Sequence, residues 1–160
     1  MCVLRVTGKS FDVDLHLAQS GLEACKVFRI GELISSSRPE GKRHELSGCS
    51  VDVSRHPPHD LPAQVADAVA FLKKYETGIT QLRSAPGVDD MWLDFPVDLR
   101  IDRRTVMAQF DYFPPELVSL AGALGLGLEL SIYPPDFGAI AHARSVEHRR
   151  LPTEGLEHGS

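Results

Sequence analysis

Two imidazoles and a carboxylate within five residues, His56-Pro57-Pro58-His59-Asp60, form the densest set of candidate metal ligands in the chain. The pair sits in a proline loop and not at i, i+4 on one helix face, and no third and fourth ligands follow at a telling spacing. The expected state is a loop without metal, in which Asp60 caps the following helix. The three cysteines, Cys2, Cys25 and Cys49, are odd in number, lie more than 20 residues apart and include no CxxC pair. They read as buried, reduced thiols in strand-like stretches. Ser10, Ser20, Ser47 and Ser50 lack a G-x-S-x-G elbow, and no Walker or Rossmann phosphate loop is present. Gly122, Gly125 and Gly127 precede a strand, not a helix N-terminus, so they read as a helix stop. No catalytic set and no cofactor is expected from these residues.

A second constellation lies on the most regular alternation in the chain. Met91, Leu93, Phe95, Val97 and Leu99 alternate with Trp92, Asp94, Pro96, Asp98 and Arg100, which predicts a strand with one dry and one wet face. Strand rise places wet-face neighbours ~6.6 Å apart and Asp94 ~13 Å from Asp98, too wide for a glycosidase carboxylate pair. Two readings stay open: a solvated strand face, or a partner-binding surface anchored by an exposed Trp92. Charge favours the second. Residues 88–135 hold eight acids, among them Asp94, Asp98, Asp102 and Asp111, against Arg100, Arg103 and Arg104, so this half carries 3 − 8 = −5. Residues 1–87 hold eleven bases and ten acids. Such a surface repels phosphate and attracts a basic partner, which disfavours nucleic acid. The expected binding set is Trp92, Asp94, Asp98, Arg100, Asp102 and Asp111.

The elements that must position these residues follow from period and punctuation. Cys2 to Gly8 predicts a strand, and Asp12 caps a short helix stopped by Gly21. Lys26 to Ile30 and His44 to Val53 predict two more strands. Asp60 with Pro62 opens one long helix whose apolar positions run from Val65 to Leu82. The 91–99 strand is expected to return through a turn at 101–105 into a partner strand, Val106 to Phe113, burying Leu93, Phe95, Val97, Ala108 and Phe110. Pro114-Pro115-Glu116 starts a last helix, and Leu128, Leu130 and Ile132 form a last strand. The order β-α-β-β-α-β-β-α-β predicts an α+β fold with a mixed, mostly antiparallel sheet and helices on one face. Residues 1–135 make one domain, and the polar 136–160 tail is expected to be a weakly ordered extension.

The chain has 160 residues, 42% hydrophobic and 24% charged, with net charge 17 − 22 = −5, the composition of an ordinary globular domain. Its longest apolar stretch, Leu117 to Leu128, is far short of the ~20 residues a membrane span needs. No basic leader with an apolar h-region follows Met1, so the expected location is cytoplasmic.

Several of these segments resemble a known family. Asp12-Val13-Asp14 opening a short helix, Phe28-Arg29-Ile30-Gly31-Glu32, and above all Pro115-Glu116-Leu117, Leu120-Ala121-Gly122-Ala123-Leu124-Gly125-Leu126 and Leu128-Glu129-Leu130-Ser131-Ile132-Tyr133-Pro134 resemble the bacterial domain-of-unknown-function 4279 family. The resemblance covers about residues 1–135. It departs at Lys26-Val27, where the family often carries an aromatic. These motifs are caps and turns, so the resemblance implies a fold and no established activity; some relatives look like immunity proteins beside bacterial toxins. The expected function is a cytoplasmic protein-binding or inhibitor module, immunity-like, that covers a basic protein such as a toxin and engages neither nucleic acid nor membrane. The alternative is a small-molecule-binding or enzymatic domain with a pocket between sheet and helices.

Overall fold

The computed structural model describes residues 1–35, 39–102 and 104–134. The tail from 136 to 160, expected as an extension, lies outside the described residues. The elements are β1 (Val3–Gly8), α1 (Val13–Ser20), β2 (Lys26–Phe28), β3 (Ser47–Asp52), α2 (Leu61–Lys74), α3 (Glu76–Arg83), β4 (Asp90–Asp98), α4 (Pro115–Ala123) and β5 (Gly127–Tyr133). The strands form one sheet in the order β2-β3-β1-β4-β5, antiparallel throughout except for the parallel β4–β5 pair. This is the α+β class with a mixed, mostly antiparallel sheet.

Local signals set the helix ends. The Asp12 carboxylate accepts from the Leu15 amide at 3.1 Å, and Gly21 closes α1 at φ 68°, a left-handed conformation that glycine adopts without steric cost. Asp60 accepts from the Ala63 amide at 3.2 Å to start α2. The long helix expected over 60–82 is two helices, broken at Tyr75, whose backbone leaves helical geometry at φ −109°, ψ 19°. The bend lets α3 turn onto α1. There Gly78 lies so close that a Cβ on it would stand 2.2 Å from the Ser20 carbonyl oxygen.

Alternation sorts the sheet into two faces. Leu4, Val6, Cys49, Val51, Met91, Leu93, Phe95 and Val97 point to the helix side and are buried, together with Val65, Ala68, Leu72, Ile79, Leu82, Leu117 and Ala121 from the helices. Fully burying a Leu or Phe side chain stabilises by about 1.5–3 kcal/mol, so this seam carries the fold.

The expected hairpin does not form. Residues 106–113 contain no strand, and Ala108 and Phe110 are exposed where burial was expected. The reason is edge occupancy: β4 pairs with β1 on one side and β5 on the other, which leaves no ladder position for a returning strand. The 106–113 segment meets β4 through side chains instead. Gln109 accepts from the Arg100 amide at 2.9 Å and donates to the Asp98 carbonyl at 3.2 Å, and the Phe113 ring packs against Phe95 at 4.9 Å. The cysteines split as well: Cys2 and Cys49 are buried, but Cys25 is exposed, with its thiol donating to the Ser50 carbonyl at the end of the short β2. Among the described residues no helix is long and apolar enough to cross a membrane.

Candidate functional site: the outer sheet face

The side of the sheet opposite the helices is built from the wet positions of all five strands. Register aligns Lys26, Ser50, Arg5, Trp92 and Gly127 in one row across it, and Asp52, Val3, Asp94 and Glu129 in the next. With Asp90 and Asp98, also on wet positions, five acids face two bases, so the face carries 2 − 5 = −3.

Its centre is an ion pair. Asp94 is only 4% exposed, because Arg5 donates to its Oδ2 from Nε at 2.9 Å and Nη2 at 2.7 Å while Ser131 donates to Oδ1 at 2.6 Å. Three strands thus converge on one carboxylate. It is a structural centre of the face and no longer a charge offered freely to solvent. Trp92, beside it, is half-buried. It lies opposite Gly127, where a Cβ would stand 3.2 Å from the Trp92 Cβ, so the glycine leaves room for the indole. The indole Nε1 is buried and has no acceptor among the described residues. An N–H in that state costs about 1–3 kcal/mol relative to a bonded one.

The other expected members of the set lie at the carboxyl end of β4. Asp98 is partly buried, and its Oδ2 stands 4.0 Å from His59 Nδ1. Arg100 is committed to Asp111 at 2.6 Å and to the Phe110 carbonyl at 3.1 Å. Asp102 is turned into its own loop: it accepts from the amides of Arg104, Thr105 and Val106 at 2.8, 2.7 and 2.9 Å and from the Thr105 hydroxyl. That hydroxyl, followed by the three amides, holds the Asp102 carboxyl well below the usual carboxylate range. Arg100, Asp102 and Asp111 therefore order the connection after β4, and the open face is left to Trp92, Asp98, Glu129 and the Arg5–Asp94 pair. Arg5, Ser131 and Gly127 are the members that sequence pattern missed; they come from strands remote in the chain, and only the register reveals them.

The two imidazoles of the proline loop are held apart in function. Gln64, fully buried, donates from Nε2 to the Pro57 carbonyl at 3.0 Å and the Pro96 carbonyl at 3.1 Å, which pins the loop to β4. His56 then stands 3.9 Å from Asp60 and 3.7 Å from Asp67, whereas His59 looks toward Asp98. The described residues include no group of three or more His, Cys, Asp or Glu side chains placed to hold a metal ion.

An open cleft of about 510 Å³ lies between α1 and the end of α3, lined by His16, Gln19, Gln81, Ser84, Ala85 and Pro86. It holds one imidazole and no carboxylate, and it draws no residue from the sheet. Comparison of the chain with protein-family models, with curated proteins and with solved structures returned no match.

Proposed function

We propose that the chain is a binding module whose outer sheet face takes a basic protein surface, in the manner of an immunity-type inhibitor covering a toxin. The observation that carries this reading is the face itself: no described helix packs on it, it carries a net −3, and it holds a half-buried Trp92 at its middle. Half-buried aromatic residues with an unmatched polar edge are the type that gain most from a partner, because docking buries the rest of the ring and can supply the missing acceptor. The 4279-family resemblance of residues 115–134 points the same way through its immunity-like relatives. The small-molecule alternative would use the α1–α3 cleft, which lies away from the sheet. The test is retention from lysate of the native host on the immobilised protein. A basic protein held by the wild type and lost with Trp92→Ala supports the proposal, and one held equally by both overturns it.

A further inference from the structure

The two edges of the sheet are finished differently. β2 is an edge of three residues and bears Lys26, the short, charged form in which monomeric proteins leave an edge. β5, at the opposite end, is seven residues long, carries one charge, Glu129, and meets no proline before Pro134. Its pairing with β4 fixes which of its backbone groups are used. The Tyr133 carbonyl accepts from the Leu99 amide at 2.7 Å, so Tyr133 turns its backbone polar groups toward β4, and by alternation Ser131, Glu129 and Gly127 do the same. The N–H and C=O groups of Leu128, Leu130 and Ile132 point the other way, along the outer edge, where none of the described strands lies. Their side chains stand on the helix-side face in register with Leu93, Phe95 and Val97, yet Leu130 keeps 36% and Ile132 56% of its surface exposed.

This edge is complementary to itself. When two copies of β5 run antiparallel about a twofold axis at Leu130, all seven residues pair: Leu130 with Leu130, Leu128 with Ile132, Glu129 with Ser131, and Gly127 with Tyr133. The outward groups of Leu128, Leu130 and Ile132 are then the ones that hydrogen-bonded antiparallel pairs exchange, so each of the three residues uses both its donor and its acceptor. Apolar side chains meet apolar ones on the helix side, the Tyr133 ring crosses a residue without a side chain, and each Glu129 faces a serine. The neighbouring registers are poorer. An axis at Glu129 sets the two carboxylates directly opposite, with Cβ atoms about 5 Å apart, a like-charge pair that destabilises; an axis at Ser131 pairs only residues 129–133. We infer that the chain forms a twofold dimer through β5, which joins the two sheets into one. The contact is isologous and closes at two copies, leaving the short β2 as each remaining edge. The axis stands perpendicular to the sheet, so both helical layers stay on one side and the two acidic outer faces become continuous. The inference concerns the edge and does not rest on the partner surface.

Sedimentation of the full chain from micromolar to near-millimolar concentration, with amide exchange read residue by residue by NMR, tests it. The mass is expected to rise from 17.6 kDa to twice that value. In the dilute chain the amides of Glu129, Ser131 and Tyr133 should be protected and those of Leu128, Leu130 and Ile132 free; in the concentrated chain the second set should slow at least about tenfold. Leu130→Pro removes an outward N–H and no bond to β4, a place where an edge strand tolerates proline, and should hold the chain at the monomer mass with exchange in β1 unchanged. Ile132→Lys should do the same by setting a charge on the edge. A wild type that stays at 17.6 kDa throughout overturns the inference. So does a dimer that both variants leave intact, or one in which the amides of Leu128, Leu130 and Ile132 still exchange freely. Should a variant fail to fold, the wild-type mass and amide pattern decide alone.

Discussion

Asp94 shows how far a residue's role depends on neighbours that its sequence position does not reveal. Its alternation with Leu93 and Phe95 is legible, and so is its place on the wet face. Its burial is not, because Arg5 and Ser131 are 89 and 37 residues away in the chain. Arg5→Ala removes two donors from a nearly buried carboxylate, and the remaining charge is costly. Since the Arg5 side chain is itself 40% exposed, the expected loss is moderate, about 2 kcal/mol, read as a lower denaturation midpoint with unchanged slope. Trp92 should emit at an intermediate wavelength and be partly quenched by iodide; complete quenching would place the ring in solvent and contradict its half-buried setting. The cysteines give a pH dependence. Burial pushes the Cys49 thiol from 9.0 up to about 11, and it raises Cys2 as well. A raised folded pKa means that the stability these neutral thiols contribute is complete below the unfolded value and is lost as pH rises through the folded one. For Cys49 the window runs from pH 9 to about 11, and the loss across it is on the order of 3 kcal/mol. Cys49→Ala should flatten this alkaline decline; an unchanged profile in urea titrations at pH 8 and 10.5 would rule the account out.

At the scale of elements, caps and stops were readable because they are local. Asp12 and Gly21, Asp60, and Pro115 with Gly125 each act within a few residues of the helix end they define. The break at Tyr75 was hidden by an unbroken apolar period, since α2 and α3 both bury a face and only the packing of α3 on α1 separates them. Gly78→Ala tests that contact: with the added methyl meeting backbone at 2.2 Å, α3 must lift from α1. Overpacking of this kind costs about 1–3 kcal/mol, and the change should appear as faster amide exchange in α1 and α3 with β4 unaffected. The absent hairpin has a different cause. Val106 to Phe113 carries a plausible strand pattern, but a strand needs a free ladder, and whether β4 has one is decided by β5, some thirty residues downstream. Acidification should loosen the 102–106 turn, because its stabilisation is present while Asp102 is ionised and is lost as pH falls through its depressed pKa, below the usual carboxylate range.

For the whole molecule, charge and coverage divide the sheet into a helix side that folds the protein and an outer side that carries the acids, Trp92 and the Arg5–Asp94 pair. If a basic protein docks on the outer side, Asp98→Asn with Glu129→Gln should slow association about tenfold at low salt and flatten its salt dependence, while dissociation changes little. Trp92→Ala should do the reverse, raising the dissociation rate by roughly thirtyfold for a loss of about 2 kcal/mol. Equal effects of both variants on both rates would remove the distinction between steering charges and an anchoring ring. The place of β1 carries one more consequence. Of the five strands, β1 comes first in chain order yet sits in the middle of the sheet, flanked by β3 and β4, so its second edge stays open until residue 98 is available. A nascent chain emerging from a ribosome therefore holds β1 with both edges open until residue 52 and with one edge open from there to residue 98. Protease resistance of stalled chains should rise in one late step, once β4 has cleared the exit tunnel, and not in increments with each successive element.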